Sequence, residues 1–497
     1  MLNILRSTVK STFIYSFGTI SSRLAGFVLI PLYTKKLSLG EFGVLNMLDI
    51  SAQVLVIIFG LGLFNAFFRW YWDKDSKGSQ KSMLFTILLS TIIFSVFISL
   101  LGFLFSSQLS DLILDSRDYG NLITLLLISV SLESIIVINS TLLRIKDKAM
   151  LFSSLMLVKL VVSLSLNVYF IVYLNKSVEG IYIAQIIGAV VYLIVASIYT
   201  AKDIEFKFNF EILKTLLKYS FPLMIVALTG MILNTTDRYV LKFLTNMDEV
   251  GKYSMGFKIS NTLRVFIISS VSMAIQPVIF RMIDDPNNKR FYSKIMTYFS
   301  FGLMFFVMFF SFFGKEIVKV LSKHNMSYWD AYTIIPIISL GLFFSMLRDV
   351  ALTGINISKK TTVTAKIITI SMICNIILCL VLTYFFNFIG AAIAASLSQF
   401  IFFALAYYYS QKIFFIPYEI RKIALMLVIA VIMYFGIMYI DNLGLAYRLI
   451  IKTTMILSFP FILYPFNFYE PIEIERIKQF WQKWSKLSNL KGNLTKI

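Results

Sequence analysis

The sequence predicts an all-α polytopic membrane protein, with about 14 transmembrane helices in two pseudo-symmetric six-helix lobes around a central cleft, plus two C-terminal helices. Three observations predict it. Of 497 residues, 58% are hydrophobic and only 14% charged, with a mean hydropathy of +0.81. A soluble domain has about 45–50% apolar and about 25% charged residues. Lys and Arg are also segregated between alternate connections. Finally, the two halves of the chain share a weak repeat.

A spanning helix needs about 20 mostly apolar residues. Breaks at charge clusters, Pro and Gly place spans near 11–33, 41–68, 82–106, 120–143, 151–174, 180–200, 220–242, 251–280, 294–314, 332–357, 366–386, 389–409, 423–440 and 449–466. These runs far exceed the length of about 9–11 residues of a membrane strand, which excludes a barrel. The N-terminus, MLNILRSTVK, lacks the cleavage pattern of a secretory signal, so the first span is expected to persist.

Orientation follows from the basic residues. Alternate connections on one side, with both termini, carry 29 Lys and Arg, and the opposite connections carry 9. Both termini are therefore expected in the cytoplasm. The net charge of +20, which in a soluble protein suggests nucleic acid, is explained by the bilayer, and no nucleic-acid partner is expected. The connections at 107–119 and 315–331 have room for a turn or short helix but not for a catalytic domain. After the last span, Pro471 suits a first helical position, and Ile474, Ile477, Trp481 and Trp484 recur at helical spacing among Arg476, Lys478, Lys483 and Lys486. That pattern predicts a cationic amphipathic helix on the inner leaflet. The expected division is 1–210 for the first lobe, 211–412 for the second, 413–466 for two added helices and 467–497 for the tail.

The repeat is parallel. Tyr15-Ser16-Phe17 opens the first span and Tyr219-Ser220-Phe221 the seventh; Glu41-Phe42-Gly43 follows the one and Glu249-Val250-Gly251 the other. Six spans separate the copies, so both begin on the same side, and rocking of one lobe against the other follows from that geometry. At this point the chain resembles a known group. Thr236-Asp237-Arg238-Tyr239-Val240-Leu241 with Glu249 to Ser254, and Ile30-Pro31-Leu32-Tyr33 with Gly40-Glu41-Phe42-Gly43, resemble polysaccharide biosynthesis transporters, the O-antigen and capsule flippases of the multidrug/oligosaccharidyl-lipid/polysaccharide exporter superfamily. The resemblance implies a two-lobed exporter in the bacterial inner membrane. Its cargo would be an undecaprenyl-diphosphate-linked glycan, and a polysaccharide polymerase and chain-length regulator would be its partners. No cofactor is implied.

Ionisable groups inside spans are costly and invite functional readings. The cations are Arg23, Lys159, Arg238, Lys252, Lys258, Arg264, Arg348 and Lys452; the anions are Asp49, Glu133, Asp237 and Asp349. This excess of cations suits a diphosphate, because guanidinium matches phosphate oxygens. A drug/cation antiporter should show the opposite bias. Arg23 and Arg264, with Lys258 behind them, are the expected substrate-binding residues. Asp49, Asp237, Arg238, Glu133 and Arg348 are candidates for coupling or gating. Arg238 beside Asp237 and Arg348 beside Asp349 need not bridge, since adjacent helical residues point about 100° apart. Glu133 and Lys159 can neutralise one another, and Lys252 and Lys452, near span ends, are expected to snorkel.

Chemistry is sparse. There is one histidine, His324, outside the spans, and two cysteines, Cys374 and Cys379, off a common helical face. Neither a zinc site nor a Ser/His/Asp set follows. No GxxxxGK[ST] loop occurs, so ATP is not a direct driver. The sequence predicts a carrier and not an enzyme. The alternatives are a drug/cation antiporter of the same superfamily and a membrane-embedded polymerase or glycosyltransferase.

Overall fold

A computed structural model describes residues 26–475 apart from 74–77, 324, 359 and 441–442, and every regular element among the described residues is helical. The first lobe runs α1 (Ile30–Lys36), α2 (Leu39–Phe59), α3 (Leu63–Trp70), α4 (Gln80–Leu104), α5 (Ser106–Leu114), α6 (Gly120–Ile145), α7 (Ala149–Val168, extended by a π turn over Tyr169–Tyr173) and α8 (Val178–Thr200). The second runs α9 (Phe210–Leu244), α10 (Met247–Thr262), a π segment (Leu263–Ile268), α11 (Ser269–Arg281), α12 (Asn288–Leu321), α13 (Ile335–Ala351), α14 (Thr353–Ile357) and α15 (Thr361–Ile413). Two helices follow, α16 (Ile420–Met438) and α17 (Leu445–Leu463).

Eleven helices among the described residues are long and apolar enough to cross a membrane. The difference from the expected 14 has physical causes. α15 is two helices broken at Asn387, whose φ of 48° reverses the chain. Asn375 then donates to Ser398 Oγ at 3.0 Å across the resulting hairpin. The expected eighth span is present as the continuous helical run from Met247 to Arg281, which passes through the π segment at Leu263–Ile268 and is not one of the eleven. Most of the expected first span lies outside the described residues. The second span ends at Phe59 and not near 68, because Leu61 and Gly62 both take positive φ. A methyl group on Gly62 would sit 2.9 Å from Ser220 O, so glycine is what lets α9 pass this turn.

Lipid is as apolar as leucine, so the helices gain by close packing and not by leaving water. In the first lobe Ile136, Leu143, Phe152, Leu155 and Tyr192 interlock between α6, α7 and α8. A larger core joins α2 of the first lobe to α10, α12 and α13 of the second. α2 and α10 start alike. Ser38 caps α2 by accepting from Glu41 N–H, and the Glu41 carboxylate accepts from Ser38 N–H in return. Asn246 caps α10 by accepting from Glu249 N–H.

One lysine departs from expectation. Lys452 does not snorkel: it is 1% exposed and lies 2.9 Å from both oxygens of Glu316, which also meets Arg448 at 3.0 Å. A carboxylate turned inward from α12 supplies a nearer partner than the interface does. Lys252 reaches toward the start of its own helix, onto Glu249 at 2.9 Å, with the exposed Asp330 at 4.0 Å. At the lysine-rich end, Glu470 meets Lys294 at 2.6 Å and Arg290 at 3.3 Å, and Tyr298 donates to Glu473. These bonds hold the start of the expected tail helix against α12. Its remainder, with Ile477, Trp481 and Trp484, lies outside the described residues.

Candidate functional site

The two lobes meet most tightly where α2 and α10 cross. A methyl group on Gly43 would lie 2.1 Å from Met247 O, and one on Gly251 would lie 2.3 Å from Leu39 O. Each glycine thus faces the backbone one turn before the other, which relates the two helices by a pseudo-twofold. The repeated Glu-Phe-Gly and Glu-Val-Gly are the two sides of this contact. Polar bonds across the lobes reinforce it. Tyr328 OH donates to Leu37 O and Ser38 O at 3.2 and 3.0 Å, and Thr34 donates to Leu321 O at 2.7 Å. Lys242, 2% exposed, donates to Leu112 O at 2.7 Å at the end of α5 and meets Asp115 at 2.6 Å. The lysine supplies a positive charge where the helix leaves carbonyls without partners.

Away from this closed end the interface loosens. α2 is mostly buried through Ser51 and half-exposed from Ala52 onward; α9 is mostly buried over Thr235–Lys242 and open over Phe221–Asn234. At the transition, the apex of the cleft, Asp49 of the first lobe stands 3.8 Å from Lys258 Nζ of the second. Their side chains are 36% and 26% exposed. Tyr182 OH donates to Asp49 Oδ1 at 3.5 Å, Lys258 lies over the Phe42 ring at 4.9 Å, and Ser51 Oγ and Tyr239 OH share a hydrogen bond of 2.8 Å.

The other sequence-selected residues have different surroundings. Asp237 and Arg238 do bridge, at 3.2 Å, because the carboxylate folds back over its neighbour's backbone N–H. Arg238 also donates to Asn234 O at 2.7 Å and lies over Phe257 at 4.1 Å, and Tyr253 donates to Asp237. This set is nearly sealed, with the two side chains 7% and 9% exposed. Arg348 likewise grips Asp349 at 2.7 Å and Gln399 at 2.7 Å. Asp349 borders a cavity of about 300 Å³ with Ser272, Thr353 and Asn356. Glu133 bonds to Lys159 between α6 and α7, within the first lobe. Arg264 sits half-exposed in the π segment, where Ser269 Oγ donates to its carbonyl at 2.8 Å. Arg23 lies outside the described residues.

The structure thus joins Asp49 to Lys258, which the sequence listed for separate roles. Tyr182, Tyr239, Tyr328 and Lys242 were not singled out from sequence. A buried lysine at a span end was the one available signal, and it reads equally as an interfacial anchor.

Two helical lobes closed at one end over a charged cleft define a polytopic membrane transporter fold. The chain belongs to the polysaccharide biosynthesis protein family, whose model matches residues 8–283, and a MatE family model matches residues 222–381. Among solved structures it is similar to the lipid II flippase MurJ in an inward closed conformation, at 18% identity and a TM-score of 0.75, covering 91% of this chain and 99% of that one. It is also similar to the MATE transporter VcmN of Vibrio cholerae (16% identity, TM-score 0.59, 82% and 96% covered). An inward-facing multidrug resistance MATE family transporter of the MOP superfamily gives 14% identity and a TM-score of 0.62, with 80% and 94% covered. At such identities the likeness shows the fold. No curated protein matches the sequence.

Proposed function

We propose that this chain is a flippase that moves undecaprenyl-diphosphate-linked oligosaccharide units across the bacterial inner membrane for O-antigen, capsule or exopolysaccharide synthesis. The observation that carries the reading is the excess of cations in the spans of a polysaccharide biosynthesis family member, with Lys258 partly exposed at the cleft apex. A diphosphate carries about two negative charges, and taking them unpaired into hydrocarbon costs far more than thermal energy. Fixed cations in a wet cleft remove that cost while the prenyl tail stays in lipid. The chain then carries its substrate without making or breaking a covalent bond.

The asymmetry of basic connections puts both termini in the cytoplasm, so the Gly43–Gly251 crossing is the outer closure and the cleft opens inward. On this reading residues 1–210 and 211–412 are the moving lobes. Residues 413–466 are an added pair of helices, and 467–497 are the cytoplasmic tail. Arg23, Lys258 and Arg264 hold the diphosphate; Asp49 serves coupling; Asp237, Arg238 and Arg348 keep gates in shape; and Glu133 steadies the first lobe. The polymerase and chain-length regulator act on the delivered unit.

The test is export of surface polysaccharide by the native host lacking this gene and carrying variants of it. Arg23→Ala with Arg264→Ala should abolish export at normal protein level, and Lys at either position should restore part of it, keeping charge without the bidentate fork. Full export by the double variant removes the substrate role of these arginines. The MatE match over 222–381 favours a second reading, a drug/cation antiporter. Efflux of ethidium from cells expressing the chain, with normal polysaccharide export in its absence, would select that reading.

A further inference from the structure

We infer that Asp49 is the counter-ion that Lys258 gives up to the diphosphate, and that the freed carboxylate then takes up one monovalent cation, a proton or Na⁺. Anion binding and cation uptake are thereby linked at one pair of side chains that joins the lobes. The inference rests on the flippase reading and assigns the coupling step within it.

Three features single out this pair. The first is its looseness. At 3.8 Å the ammonium and carboxylate attract without a hydrogen bond, since charge-assisted bonds close to about 2.7–2.9 Å. Lys242 and Lys452, by contrast, hold their carboxylates at 2.6 and 2.9 Å. The second is access. Asp49 is 36% exposed, and among the described residues its side chain accepts one long hydrogen bond, from Tyr182 at 3.5 Å. Asp237 is 7% exposed and accepts from the Arg238 guanidinium, the Arg238 backbone N–H and Tyr253. Of the two aspartates that the sequence offered for coupling, only Asp49 has an oxygen open to an incoming cation. The third is position. Asp49 belongs to α2 and Lys258 to α10, the two helices whose glycines form the crossing.

When a diphosphate oxygen replaces the carboxylate at Lys258, one charge contact between the lobes is lost beside that crossing. A cation on Asp49 keeps the contact from re-forming, so the loaded state can part at the closed end. With no substrate the pair re-forms and expels the cation. Among the described residues, the other charged or titratable groups facing the pair are Tyr182 from α8, Tyr33 from α1, and Arg238 and Tyr239 from α9. None of these offers a second carboxylate.

The experiment measures binding of undecaprenyl diphosphate to the full chain in lipid nanodiscs. One arm compares pH 6 with pH 8 in choline chloride; the other compares NaCl with choline chloride at pH 8. Linkage is reciprocal, so the cation that Asp49 takes must raise affinity for the probe by the same factor as the probe raises affinity for the cation. In the wild type that factor should be on the order of tenfold, in the proton arm or the Na⁺ arm. Asp49→Asn should bind about tenfold tighter than wild type at pH 8 without Na⁺, and lose the cation effect. The readout is the difference between this variant and wild type, because the probe's own titration is common to both. Asp49→Glu should retain the effect, and Lys258→Gln should weaken binding and abolish the effect together. A cation effect that survives in Asp49→Asn overturns the inference and leaves the flippase reading standing. Absence of probe binding to the wild-type chain overturns both.

Discussion

Replacing Gly43 with alanine adds one carbon at the tightest point between the lobes. That carbon would lie 2.1 Å from Met247 O, 3.0 Å from Met247 C and 3.2 Å from Gly251 N. Ordinary contact begins at 3.4 Å, so α2 and α10 must part by about 1.3 Å, and the obstacle is backbone that cannot swing aside. Overpacking of this kind costs about 1–3 kcal/mol. The strain exists only while the crossing is closed, so it acts on the balance between lobe arrangements and less on folding itself. A cost of that size shifts the population about 5- to 150-fold toward the form parted at this end. Gly251→Ala, 2.3 Å from Leu39 O, should do the same, as the pseudo-twofold demands. Gly230→Ala is the control, since nothing lies within 4 Å of its added carbon. The assay is the distance between spin labels at Lys35→Cys and Met326→Cys, both exposed at the closed end, with Cys374→Ser and Cys379→Ala in the background. The distribution should gain a longer component in both glycine variants and not in the control. Unchanged distances in well-folded Gly43→Ala and Gly251→Ala protein would show that the crossing does not hold the end shut.

Further outcomes follow from named contacts. Lys242→Met removes two bonds between the lobes, to Leu112 O and Asp115, and should lengthen the same label distance even though the side chain's apolar bulk is kept. Glu133→Gln leaves Lys159 without its carboxylate inside the first lobe and should lower the melting temperature. Glu133→Gln with Lys159→Met should recover most of the loss, because the uncompensated charge is gone. At the lysine-rich end the hydrogen bond from Lys294 to Glu470 holds that carboxyl below the usual carboxylate range, against a smaller opposing effect of burial. A carboxyl with a lowered folded-state value stabilises its contact above the ordinary range and loses that contribution as pH falls through the lowered value. Hydrogen exchange at residues 467–475 should therefore stay slow at neutral and mildly acidic pH and quicken only at stronger acidity. Glu470→Gln should quicken it at neutral and mildly acidic pH and match the wild type once the carboxyl is protonated.

The class of molecule was legible without coordinates, because membrane insertion is decided by composition over windows of about 20 residues, which is a property of the chain itself. The repeat was legible too, as were pairs on neighbouring spans such as Glu133 and Lys159, where short connections force the helices together. The break at Leu61 and Gly62 was not, since apolar residues continue through it and only close passage of α9 selects positive φ. Lys452 was misread for a related reason. Depth in a span predicts snorkelling unless a partner is buried beside it, and Glu316 arrives from another helix. The candidate site was legible only as an inventory of charges. Sequence placed Asp49 and Lys258 in separate roles, and it did not show that Asp49 stays open where Asp237 is sealed. That distinction rests on which side chains converge from helices distant in the chain: Ser51 and Tyr239 are 188 residues apart, and Tyr328 and Leu37 are 291. Hydrophobic period and basic loops act over one helix and its two ends, so they determined that the chain crosses the membrane many times. Which charge faces which is settled by the crossing of α2 on α10, where two glycines let backbones from opposite halves of the sequence touch.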